Sequence, residues 1–182
     1  MKKNILTFLI ILGGAGFAGA QDRKTEVQIP ATTNDSMTNS DSVPSVYAIE
    51  GQFERVIIVR LKNSSDLLRG VEEAVKANGI RNGVILSGIG SVTSYNYHVV
   101  GNGIFPVKNI FVKNASCPAD IASMNGYIVD GRPHVHVTFA SSEKAFGGHL
   151  EAGTNVFTFA IVTIGTLNDG ASLTRVDDWN YR

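Results

Sequence analysis

Only one stretch of this chain repeats its apolar residues at helical steps: Leu67, Leu68, Val71, Ala74 and Val75. They fall three and four residues apart and so line one face of a helix. Ser64 or Ser65 supplies its N-cap, Gly79 the left-handed residue that ends it, and Glu72 with Lys76 a pair on the wet side. The other apolar runs are short, rich in β-branched residues and bounded by turn formers. Strands are expected over 53–61, 83–88, 91–100, 107–112, 120–124, 127–129, 134–140 and 155–164. Asn125-Gly126 predicts the hairpin between the fifth and sixth of these. The long run 155–164 reads as a central strand covered on both faces. One helix among about eight strands predicts an α+β fold, a largely antiparallel sheet with the helix packed on it.

The N-terminal segment has a different character. Lys2 and Lys3 precede an apolar core, Ile5 to Leu12, and then small residues ending in Ala18-Gly19-Ala20. This is the pattern of a secretory signal peptide over 1–20, with Gln21 as the mature start. An uncleaved anchor helix is the competing reading; the short apolar core and glycine-rich end speak against it. Residues 21–48 are rich in Thr, Asn, Ser and Asp and read as a flexible polar linker. The compact domain then spans 49–182. Removing Lys2 and Lys3 leaves 14 basic against 16 acidic side chains, a net charge of −2. That balance argues against a nucleic-acid surface, which needs a clustered positive excess. The expected location is the periplasm or outside the cell. A single cysteine, Cys117, excludes an intrachain disulfide and reads as a buried hydrophobe. Gly101-Asn102-Gly103 lacks the third glycine and following helix of a dinucleotide loop.

Chemistry concentrates in three of the four histidines. His134 and His136 are two apart on an expected strand, on one face, with backbones roughly 6–7 Å apart. His149 follows Gly147-Gly148, which permit a tight turn returning it to that face. Three neutral imidazoles with an open fourth position is the usual donor set of a catalytic zinc site. Glu151, two residues beyond His149, is the candidate base or supporting carboxylate. Arg132, two before His134, is a candidate anchor for an anionic group. His98 has no partner visible in the sequence and reads as an ordinary histidine.

These residues resemble the plants-and-prokaryotes conserved (PPC) domain. The resemblance rests on Asp120 to Gly126, then Gly131-Arg132-Pro133-His134-Val135-His136, then Gly147-Gly148-His149-Leu150. Arg55 to Leu61, the helix and Gly88-Ile89-Gly90-Ser91 extend it over nearly all of residues 50 to 180. It implies an α+β fold shared with α-acetolactate decarboxylase and with a zinc-dependent ester hydrolase, and a homotrimer in prokaryotic members. In the decarboxylase, zinc is held by a His-x-His and a third histidine at a spacing similar to that of His134, His136 and His149. Two departures stand out: Ala160 is followed by Ile161 where the family usually has a glutamate, and Asp120 replaces a glutamate. Plant relatives bind AT-rich DNA through separate AT-hook segments. Gly131-Arg132-Pro133 spells the hook core but has no flanking Lys or Arg, so nucleic acid is not an expected partner.

The expected function is therefore an exported PPC-domain protein with a three-histidine metal site. The ion is zinc or another divalent transition metal. The site binds or transforms a small ligand through a metal-bound water, as a metal-dependent hydrolase or lyase. The alternative is a non-catalytic trimeric binding or scaffold module, with DNA binding a distant third.

Overall fold

A computed structural model describes residues 24–29 and 41–176; the expected signal peptide 1–20 and much of the expected linker lie outside them. The strands are β1 (Lys24–Ile29), β2 (Phe53–Lys62), β3 (Gly83–Val92), β4 (Tyr95–Val100), β5 (Asn109–Asn114), β6 (Ala119–Val129), β7 (Arg132–Ala140), β8 (Ala145–Leu150) and β9 (Val156–Leu167). They form one open sheet in the order β1-β5-β4-β8-β7-β6-β3-β9-β2, and every pairing is antiparallel. The one helix among the described residues, α1 (Leu67–Ala77), packs against β2, β7 and β9. The α+β architecture is thus the one the apolar periodicities require. No helix among the described residues is long and apolar enough to cross a membrane.

Helix and sheet share one core. Leu67, Val71 and Val75 of α1 are fully buried, with Leu61, Ile85, Met124, Val135, Phe139, Val162 and Ile164 from the sheet. Each such side chain contributes about 1.5–3 kcal/mol by leaving water. Cys117 is half-buried at the margin of this core. The helix starts one or two residues later than the serines suggest. Asp66 is the N-cap: the Arg69 N–H donates to its Oδ1 at 3.0 Å, and the Gly153 N–H to its Oδ2 at 2.6 Å. One carboxylate therefore caps α1 and ties it to the turn after β8. Ser64 is committed to the preceding turn at φ 66°. On the wet side, Glu72 pairs with Arg69 at 2.7 Å, three residues back.

Four sequence expectations are corrected. Asn125-Gly126 makes no hairpin; β6 runs straight through it, and the turn to β7 is Asp130-Gly131, at φ 48° and 76°. Both dipeptides suit such a turn, but only the second has both residues in the left-handed region that the tight hairpin demands. Gly147-Gly148 is likewise no turn but the middle of β8. Lys24–Ile29, inside the segment read as a linker, forms the edge strand β1 paired with β5. Finally, β9 is interior to the sheet as expected, yet only one of its faces is covered. Phe157 and Phe159 on the other face are 48% and 38% exposed.

Candidate metal centre

The register of four neighbouring strands lines up the site. His98 on β4 pairs with His149 on β8, His149 with His136 on β7, and His136 with Asn125 on β6. Partners in an antiparallel register project to the same side of the sheet, so these four side chains form one row on the face away from α1. His134 lies one step along β7 on the same face, opposite Tyr127.

Two glycines permit this row. A Cβ at Gly147 would collide with the Val137 carbonyl oxygen on β7, and one at Gly148 with the His98 carbonyl oxygen on β4. Gly147 also stands at φ 154°, which side-chain-bearing residues rarely adopt. The bare backbone of β8 therefore lies close against both neighbours, and His149 is carried in between His136 and His98.

The three expected ligands come together. The His134 and His136 rings are nearly parallel, 5.5 Å apart at an interplanar angle of 8°. The His149 ring stands across them at 86° and 83°, with centroids 4.6 and 5.5 Å away. One nitrogen from each ring lies within 4.8 Å of the other two. Three nitrogens held tetrahedrally at about 2.1 Å from a zinc ion are roughly 3.4 Å apart. A spread of no more than 4.8 Å is of that order, so the donor set, three neutral nitrogens with an open fourth position, fits a borderline-soft divalent ion. Partial burial, with repulsion from His134 and then His98, holds the His136 imidazole below the usual histidine range. The ring thus stays neutral, with a lone pair to offer, to a lower pH than a free histidine.

Among the neighbouring residues, His98 departs from its sequence reading. Glu151 shares the face, but its Oε1 lies 2.7 Å from His98 Nδ1. His98 is accordingly no isolated histidine. It stacks on His149 at 4.5 Å and 29°, and on Phe111 at 4.9 Å. The pairing of β4 with β8 joins residues about fifty apart, so only a hint from alternation (His98 among outward-facing positions) was available in the sequence. Arg132 opens β7 as an exposed residue two positions before His134. Beside His136, an open cleft of about 360 Å³ is lined by Asn125, Thr138, Gly147 and Gly148, large enough for a small ligand. The Gly101-Asn102-Gly103 segment lies between β4 and β5, where the Asn102 amide donates to the Ile104 and Pro106 carbonyls. It shows no phosphate-binding cradle followed by a helix.

Comparison with known proteins gives consistent findings. Residues 48–168 match the family model described as the Plants and Prokaryotes Conserved (PCC) domain. The metal-containing protein from Archaeoglobus fulgidus is similar at 28% identity and a TM-score of 0.55, over 69% of this chain and 89% of that one. A plant- and prokaryote-conserved protein from Pyrococcus horikoshii is similar at 24% identity and a TM-score of 0.55, over 68% and 85%. A candidate DNA-binding protein from Bacteroides thetaiotaomicron shares the fold at 18% identity and a TM-score of 0.54, over 65% and 83%. Comparison with curated proteins gives no match.

Proposed function

The chain belongs to the Plants and Prokaryotes Conserved domain family, and from that premise we propose that it is an exported, metal-dependent protein acting on a small ligand. His134, His136 and His149 hold one divalent transition-metal ion, zinc before others, on the open face of the sheet. The observation that carries this reading is the convergence of three imidazole nitrogens within 4.8 Å beside an open cleft. The similar protein from Archaeoglobus fulgidus is itself described as metal-containing. When bound, the ion supplies Lewis acidity at its open coordination position. The chain orients what arrives there. Asn125 and Thr138 offer neutral hydrogen-bonding groups along the cleft, and Tyr127 a phenol opposite His134. The signal-like segment 1–20 supports a periplasmic or secreted location. Nucleic acid is left out of this reading because acidic and basic side chains balance, at 16 each.

Turnover tests the catalytic form of the proposal. Protein stripped by a chelator is expected to be inert toward esters and 2-hydroxy-2-keto acids, and zinc is expected to restore turnover of one of these classes. Metal bound without turnover of either would favour the non-catalytic binding module instead.

Self-association is the second part of the proposal. Ile58, Ile89, Phe157 and Phe159, from β2, β3 and β9, lie on the face opposite α1, with Ile58 63% and Ile89 55% exposed. Exposed apolar side chains grouped on neighbouring strands mark an interaction site, here with the Arg60 guanidinium lying over the Phe159 ring among them. A second and third copy would cover it, in a homotrimer. Sedimentation is expected to give three chains per particle, and Ile58→Glu to give monomers, because it places a charge in the contact. A parent that sediments as a monomer at micromolar concentration would end this part of the account.

A further inference from the structure

We propose that His98, Glu151 and His149 form a second ion position, adjacent to the first and sharing His149 with it. The inference deepens the three-histidine reading and rests on it. One donor atom from each of these residues lies within 4.8 Å of the other two. The set is two imidazoles and one carboxylate, a donor combination that suits divalent zinc, iron and related ions and leaves coordination positions open. It is not a solvated surface cluster: the His98 and Glu151 side chains are 20% and 28% exposed. Their geometry is also set from both sides. The β4–β8 register places His98 directly across from His149. The Glu151 backbone N–H donates to the Asn96 carbonyl at 3.0 Å, which anchors the carboxylate just beyond the strand end.

Sharing is chemically feasible because an imidazole has two nitrogens, one for each ion. To serve both, His149 gives up its ring proton to solvent. The second ion also meets the charge of the first. Both effects make the second position the weaker one. Without an ion there, Glu151 and His98 satisfy each other through the 2.7 Å contact. A divalent ion would take over both groups, so the position is preformed but not left with bare polar groups.

Calorimetric titration of the metal-stripped full chain with zinc, checked by metal analysis after gel filtration, decides the matter. Two equivalents per chain are expected, the second at least tenfold weaker. Glu151→Gln, which preserves size, is expected to remove the second equivalent and keep the first. The double variant His134→Ala/His136→Ala is expected to lose the tighter equivalent and keep the weaker. A parent that takes one equivalent, with Glu151→Gln leaving its isotherm unchanged, would overturn the second position and leave the three-histidine site standing. One equivalent that disappears in Glu151→Gln would show a single shared position and also overturn the inference. A parent that takes none would remove both sites. Cobalt gives an independent reading, since its visible absorption should keep rising to two equivalents in the parent and stop at one in Glu151→Gln.

Discussion

His149→Ala is expected to lower zinc affinity by at least about 100-fold, the upper end of the effect of removing even an outer partner of a metal ligand. His149 is the ring that crosses the other two and the one that both clusters of potential ligands contain. Without it, His134 and His136 are left as a pair of parallel imidazoles on one strand, two donors where a stable zinc site needs at least three. The fold should survive. His149 lies on the face away from the helix and outside the buried core, so its truncation should shift stability by no more than about 1 kcal/mol. Competition titration against a chromophoric chelator reads the affinity, and thermal melting of the stripped protein reads the fold. Unchanged affinity in a folded variant would remove His149 from the ligand set.

Gly147→Ala should damage both fold and site. The added methyl carbon would collide with the Val137 carbonyl oxygen and come within 3.1 Å of the Thr138 Cα, so the obstacle is backbone and cannot rotate away. The residue would also have to hold φ at 154°. Backbone strain and overpacking each cost about 1–3 kcal/mol, and together they should lower stability by about 3 kcal/mol or more. For a domain of this size that is a fall in Tm of roughly 6–12 °C. Zinc affinity should fall with it, because β8 is the strand that carries His149 between its neighbours. Gly103→Ala is the control: nothing lies within 4 Å of its added carbon, and its effect should stay within about 0.5 kcal/mol. Equal Tm values for the two variants would contradict the close approach of β8 to β7.

The sequence made some of this arrangement legible and hid the rest, for physical reasons. A period of two puts His134 and His136 on one face wherever that strand lies, and the three- and four-residue steps of Leu67, Leu68, Val71, Ala74 and Val75 admit only a helix. Those are local facts. The partnership of His98 with Glu151 and His149 depends on β4 lying beside β8, a non-local pairing that no window of sequence contains. Ala145–Leu150 did not read as a strand because its centre is Gly147-Gly148, residues that weaken strands when considered alone. Close packing between two backbones reverses that preference. Asn125-Gly126 and Asp130-Gly131 carry the same turn chemistry, and only the continuous pairing of β6 with β7 up to Val129 selects the second. For β9, its apolar pattern on both faces is real, but within one chain only one face finds a partner. That mismatch is what makes assembly part of the functional proposal.

The proposed chemistry depends on three imidazoles gripping one ion. Crystals of the protein grown with zinc, with diffraction recorded on both sides of the zinc absorption edge, can locate that ion. An anomalous peak is expected about 2.0–2.1 Å from one nitrogen each of His134, His136 and His149. Fully occupied zinc elsewhere on the protein, with these three rings left unligated, would contradict it.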